Sequence, residues 1–176
     1  DIVTCSHEHA DHNHIEKVRG KPIVIKNPGM QKPITNITIT GYPSFHDEAE
    51  GKKRGKNTIY AIQAEKLRFA HLGDLGAMPD ETTLSALHHI DVLLIPVGGT
   101  YTIDGVQAAA LAKRLNARIT IPMHYKKDDE GLQNIGSVDS FLEAMLPLKP
   151  SHQPLLRITH QDIDEAPRLV CLAVSE

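Results

Sequence analysis

The chain has 176 residues, enough to bury a core in one domain and too few for two comfortable ones. Hydrophobic residues make up 40% and charged residues 23%, ordinary soluble-globular values that argue against a disordered or membrane-embedded chain. The formal charge of -3 leaves no broad positive field for a polyphosphate backbone, so nucleic acid is disfavoured as a partner.

Ile2-Val3-Thr4-Cys5 reads as a short buried strand that runs directly into a dense histidine cluster. Asp1 followed by Ile2-Val3 is no signal peptide. No run approaches the roughly 20 apolar residues that span a bilayer. Cys5 and Cys171 lie in strand-like runs near opposite ends and are read as buried free thiols, which with the rest points to a reducing, cytoplasmic setting. Eleven histidines beside three Phe and no Trp is the unusual figure, and the histidine positions explain it.

After the cluster a short helix is expected over Asn13 to Val18. Apolar runs bounded by turn residues then predict strands at Ile23 to Ile25, Ile34 to Thr40, Thr58 to Ala64 and Leu67 to Ala70, the last two joined through Glu65-Lys66 as a hairpin. The second half alternates: a helical pattern over Pro79 to His89, a strand Asp91 to Pro96, a helix Asp104 to Leu115 and a strand Arg118 to Pro122. A helix over Ser137 to Leu146, capped by Ser137, precedes strands Leu155 to Thr159 and Leu169 to Val174. The pattern predicts mixed α/β layers in one domain over 1–176. The charged stretches Asp47 to Lys56 and Lys126 to Gly136 are expected as exposed loops. Each follows a candidate ligand histidine, which gives it a part in ringing the mouth of a site.

His7-x-His9 sets two imidazoles on alternate residues, and Asp11-His12 adds a carboxylate and a third imidazole. Imidazole nitrogen and carboxylate oxygen suit zinc, manganese or iron, and the absence of thiolates argues against a structural zinc knuckle. Four such groups in six positions do not easily reach one ion, so some serve a neighbour. A chance surface cluster is outweighed only if partners appear downstream, and they do: His46 closes the strand-like Ile37 to Phe45 stretch, Asp74 follows the strand Leu67 to Ala70 and His124 follows Ile119 to Met123.

The run Ser6-His7-Glu8-His9-Ala10-Asp11-His12 resembles the HxHxDH signature of the metallo-β-lactamase superfamily, and the later residues fall in the order which that family uses. The resemblance implies that His7, His9 and His46 bind a first divalent ion, that Asp11, His12 and His124 bind a second, and that Asp74 bridges them. It implies two ions per chain, zinc foremost, with manganese or iron as alternatives. His71 lies inside a strand three residues before Asp74 and is expected to support the ligands by packing. The segment Ile95 to Asp104, Ala108-Ala109-Ala110 and Ile121 to Tyr125 is similar to a smaller lactonase-like and phospholipase D-like group of bacterial and archaeal hydrolases. There Gly98-Gly99 would bring backbone close to the site, and Tyr101 or Thr102 would offer a hydroxyl to the substrate.

The family fold is an αββα sandwich that begins with several strands before the histidine loop, whereas here only six residues precede His7. The expectation is therefore a metallo-β-lactamase sandwich lacking its first N-terminal strands, with an exposed sheet edge through which a homo-oligomer forms. The implied function is metal-dependent hydrolysis of a small ester, lactone, amide or phosphodiester, with Asp11 orienting the attacking water and carrying a proton. The alternatives are a nuclease-type phosphodiesterase and a metal-binding domain without turnover.

Overall fold

A computed structural model describes residues 2–127 and 132–173 of the chain. Its frame is a six-stranded mixed sheet in the order β3 (Gly29–Ile34), β4 (Ile37–Phe45), β5 (Lys56–Ala64), β6 (Leu67–His71), β7 (Val92–Pro96) and β8 (Ile119–Met123). The first four strands are antiparallel and β6, β7 and β8 are parallel. The β5–β6 hairpin turns on Glu65 and Lys66, both left-handed at φ 51 and 68, which matches the twist of the flanking strands. Parallel pairing needs crossovers, and these are α1 (Glu81–Ala86) between β6 and β7, and α2 (Gly105–Leu115) between β7 and β8. Asp104 caps α2 in a reciprocal box with Gln107, and Asp80 caps α1 through the Thr83 amide.

The period-two alternation along β7 sorts its side chains between two cores. Leu93 and Ile95 face the three helices, with Leu84 of α1, Ala108 and Leu111 of α2, and Phe141 of α3 (Asp139–Ala144). Val92 and Leu94 face the other way, onto Ile119, Ile121, Ile163 and Val170. There β9 (Ser151–Gln153) and β10 (Val170–Leu172) form a parallel pair that joins the main sheet at Thr120 and Leu169. A second parallel pair, β1 (Ile2–Thr4) with β2 (Ile23–Ile25), packs through Ile25 on Ile39 and Tyr60. The buried Tyr60 hydroxyl donates toward the carbonyls of both Cys5 and Ile25, so β5 holds the pair at the start of the histidine loop. Among the described residues no helix is long and apolar enough to cross a membrane.

Four local expectations need correction. The run expected as one strand over Ile34 to Thr40 is cut by a two-residue turn at Thr35-Asn36, with Asn36 at φ 66. Asparagine tolerates this conformation because its short polar side chain bonds locally. Leu155 to Thr159 forms no strand; Leu156 and Ile158 instead pack individually against the second core. Ser137 does not cap α3, whose first flanking residue is Val138; the serine hydroxyl bonds to the Asp139 carboxylate. The segment Asn13 to Val18 holds only a single 3₁₀ turn, Ile15–Lys17. Residues 128–131 of the expected loop and Val174 of the last expected strand lie outside the described residues.

Candidate metal centre

The carboxyl ends of β6, β7 and β8 open on one side of the sheet, where α/β architectures place ligands. Asp74 follows β6 and His124 follows β8; His46 follows the antiparallel β4, and His7 to His12 leave β1. The backbone ties these ends together. Thr58 N–H donates to the Ser6 carbonyl at 2.8 Å, Leu72 N–H to Leu94 at 3.0 Å and Gly76 N–H to Phe45 at 2.9 Å.

Asp74 stands at the focus. Its Oδ2 lies 3.3 Å from His46 Nε2, 3.4 Å from His124 Nε2 and 3.7 Å from both His7 Nε2 and His12 Nε2. The His9 ring packs at 4.9 Å from that of His7 and 4.8 Å from that of His46. Asp11 is exposed, with its Oδ2 3.6 Å from His12 Nε2. Two groups have ligand atoms all within 4.8 Å of one another, His7 with His9 and His46, and His7 with His12 and Asp74. The structure thus brings together the imidazoles and the carboxylate singled out in the sequence.

Burial and charge set the protonation of these groups. Burial lowers His7 to about 4, with the neighbouring imidazoles adding to the effect and Asp74 opposing it, so its ring is neutral at physiological pH. Its buried Nε2 has no hydrogen-bond partner, while Nδ1 bonds to Ser6 Oγ at 2.9 Å. Burial alone would lower His46, but the Asp74 carboxylate and the Tyr101 carbonyl raise it instead. The hydrogen bond to Asp74 likewise raises His124 against burial. Asp74 itself is held far below the usual carboxylate range: burial pushes it up, and the surrounding imidazoles, led by His124 and His46, outweigh that.

The donor set fits divalent cations. An unpartnered, neutral, buried imidazole nitrogen aimed at a carboxylate oxygen is a costly arrangement unless a cation takes its lone pair. The ligand tautomers are also prepared. His46 Nδ1 meets the Tyr101 carbonyl at 3.0 Å, which fixes the proton there and leaves Nε2 free toward Asp74.

Several supporting residues gave no signal in the sequence. Asn57, at the start of β5, reads there as one polar residue beside a strand. In the fold it is 1% exposed; its Oδ1 accepts from Asp74 N–H at 3.1 Å and its Nδ2 donates to Leu72 O at 2.9 Å and Ser44 Oγ at 2.8 Å. It therefore joins the ends of β4 and β6 at the ligands. Replacing Asn57 with Ala strands two buried partners, the Asp74 amide and the Leu72 carbonyl, while Ser44 keeps its bond to the residue 57 carbonyl, and we expect a loss of about 2–3 kcal/mol in urea denaturation at unchanged m. His71 accepts from Gly73 N–H at 3.1 Å in the turn that presents Asp74. Gly73 is required in that turn: φ is +57, and a Cβ would lie 2.4 Å from Asn57 Oδ1 and 2.7 Å from Ser6 Cβ.

The segment from Asp47 to Lys56 forms a loop that is exposed or half-buried over 48–55, and it is organised around a buried side chain at its start. Asp47 is 1% exposed, and its carboxylate accepts from the amides of Ala49, Gly51, Lys53 and Arg54 at 2.7–3.1 Å. Those four donors hold its pKa down against the opposing effect of burial. Lys56 belongs to β5. A cavity of about 260 Å³ opens over the histidines, with Arg54, Tyr101 and Leu132 in its wall. Tyr101 lies there as the sequence suggested, although its hydroxyl is already bonded by Asn134 Nδ2 at 2.6 Å. Thr102 is buried, with its hydroxyl on the Ile103 carbonyl, and is absent from the cavity wall.

A family model described as a β-lactamase superfamily domain matches residues 1–124. Among its relatives, a metal-dependent hydrolase of Methanospirillum hungatei is 27% identical over 157 residues, covering 77% of this chain and 72% of that protein. One from Methanoculleus marisnigri is 29% identical over 171 residues, covering 85% and 76%. Among solved structures, a Thermotoga maritima protein described as a candidate Zn-dependent hydrolase of the metallo-β-lactamase superfamily superposes with a TM-score of 0.77. It is 34% identical, over 98% of this chain and 81% of that one. A metallo hydrolase of Ignicoccus hospitalis, 24% identical with a TM-score of 0.65 over 82% of this chain and 71% of that one, shares the fold.

Proposed function

The chain belongs to the β-lactamase superfamily, and from that premise we propose that it is a metal-dependent hydrolase with a dinuclear centre acting on a small ester, lactone, amide or phosphodiester. The observation that carries this reading is the position of Asp74 Oδ2, faced by four imidazole Nε2 atoms from three separate segments of chain. His7, His9 and His46 would hold one ion, and His12 and His124, with Asp11, the other, Asp74 being shared between them. A pair of divalent ions supplies Lewis acidity, bringing the pKa of water from 15.7 toward about 7 and polarising a carbonyl or phosphoryl oxygen. That chemistry needs no Ser or Cys nucleophile. Cys5, whose thiol donates to the His7 carbonyl, is buried and oriented for structure.

The chain's own residues supply the rest. The neutral His7 presents a lone pair without a proton to lose first, and the bond of His46 Nδ1 to the Tyr101 carbonyl turns the His46 Nε2 toward the same focus. Asp11, exposed on the cavity wall, orients the attacking water, accepts its proton and returns it to the leaving group. Zinc, manganese and iron all suit the imidazole and carboxylate donors, with zinc foremost.

The test is chelation followed by reconstitution. Protein stripped of metal should hydrolyse none of the four substrate classes, and added Zn²⁺ or Mn²⁺ should restore turnover of at least one, with two ions per chain by elemental analysis. Turnover by the stripped protein would overturn the metal requirement, and one ion at full activity would overturn the dinuclear reading. His9→Ala removes a ligand from the exposed side of the site, so its activity should recover in part at raised metal concentration.

A further inference from the structure

Arg54 is the basic group that the hydrolytic reading does not use. Its main chain is fixed by the bond from its amide to Asp47 Oδ2 at 2.7 Å, and its guanidinium carbon stands 5.3 Å from the centre of the Tyr101 ring. Tyr101 is in turn held at both ends, by His46 Nδ1 on its carbonyl and by Asn134 on its hydroxyl. The planar cation is thus pre-oriented on an aromatic face, which leaves its edge donors free for a planar acceptor.

Among the described residues no carboxylate pairs with it. Four other cations do have carboxylate partners, Arg114 with Glu81, Arg118 with Asp164, Lys53 with Glu48 and Lys26 with Glu8, and what sets Arg54 apart from the remaining ones is its place in the wall above the histidines. Arg54 lines the cavity above the histidines and also a wider cleft of about 840 Å³ that continues past Lys26 and Lys56. A second positive pole beside a centre built for divalent cations raises the free energy of the empty site. An anion that spans both relieves it.

We propose that Arg54 is a specificity-determining residue that binds an oxyanion, carboxylate or phosphate, on the substrate while the scissile bond lies over the metal centre. Substrates are therefore small anionic esters, lactones, amides or phosphoesters rather than neutral ones. This rests on the metal-centre reading given above, and the experiment separates the two. Metal-loaded protein is titrated with butyrohydroxamate, succinic acid monohydroxamate and phosphonoacetohydroxamate, which share a metal-binding head and differ in the tail. The charge-assisted contact should make a charged tail bind about 10- to 100-fold tighter than the neutral one. In Arg54→Gln that ratio should fall to about one, and in Arg54→Lys part of it should return. The tail that gains more identifies carboxylate or phosphate. A ratio near one in the parent protein, or a ratio untouched in Arg54→Gln while all three ligands weaken together, would overturn the proposal, the latter showing that Arg54 only packs on Tyr101. If no hydroxamate binds, the metal-centre reading fails. Arg54 is then judged by its Nε–H NMR signal in metal-free protein titrated with inorganic phosphate and acetate. A saturable shift supports the oxyanion site, and no shift overturns it.

Discussion

Replacing Asp74 by Asn is expected to cut metal-dependent hydrolysis at least about a thousandfold while leaving the fold intact. The carboxamide has nearly the same shape, and the bond from residue 74 N–H to Asn57 Oδ1 involves only the main chain, so the turn after β6 survives. What disappears is a full negative charge facing four imidazoles. Metal polarisation of the reacting oxygen is worth several kcal/mol, and each 1.36 kcal/mol is tenfold in rate, so losing about 4 kcal/mol of it gives that factor. Elemental analysis should find fewer than two ions per chain, and circular dichroism should be unchanged. A second readout needs no metal. Because the Asp74 carboxylate raises His46 and His124, their NMR titrations in metal-free Asp74→Asn should move to lower pH. A variant that keeps two ions and near-parent turnover would show that the carboxylate is not shared.

Gly98→Ala should act from behind the site. A Cβ there would lie 2.2 Å from the His124 carbonyl oxygen, and this main chain has little room to yield. Val97 N–H bonds to the Met123 carbonyl at 3.1 Å, Gly136 N–H bonds to the Gly98 carbonyl at 2.6 Å, and His124 already sits at φ 53, a conformation that side-chain-bearing residues rarely adopt. Overpacking of this kind costs about 1–3 kcal/mol. Relief by moving His124 should weaken metal binding about 10- to 100-fold, the range seen when a support of a ligand is lost. Gly99→Ala is the matched control: φ is +64, but the nearest atom to a Cβ is 3.5 Å away and belongs to Asp104. It should cost about 1 kcal/mol of backbone strain with metal affinity retained. Thermal melting and competition with a metallochromic chelator distinguish the two variants; equal metal affinity in both would remove the link between Gly98 and His124.

The convergence of the candidate ligands was legible from the family-like His7-to-His12 run together with His46, Asp74 and His124, which follow apolar runs. A His or Asp that ends an apolar run stands at a strand terminus, and strand termini on one side of a sheet converge. The Glu65-Lys66 hairpin was legible because its chemistry closes within a few residues. Leu155 to Thr159 shows the limit. Its alternation does put Leu156 and Ile158 inward, but burial on one face does not require a pairing partner on an edge. Asn57, Asp47 and Arg54 were silent because their roles depend on contacts that the fold creates. Asn57 meets Leu72 and Asp74 across 15 and 17 residues of chain, and the pairing of Arg54 with Tyr101 spans two loops whose proximity no spacing encodes. Tyr101 was readable as a wall residue, whereas its use of a main-chain carbonyl to orient His46 was not.

The loop wound around the Asp47 carboxylate has a consequence for how such a site changes over time. Its shape is dictated mainly by one buried side chain gripping four main-chain amides, so the outward side chains of Glu48, Lys52 and Lys53, the first and last of which pair with each other, contribute little to it, whereas Glu50 at φ 58 holds a conformation that restricts its replacement. Substitutions at Glu48, Lys52 and Lys53 alter the charge the loop displays without moving His46, the candidate ligand that precedes it. The charge beside the site can then drift while the candidate ligands stay in place, which makes these three positions the natural ones to randomise in a library that varies the field around the cavity.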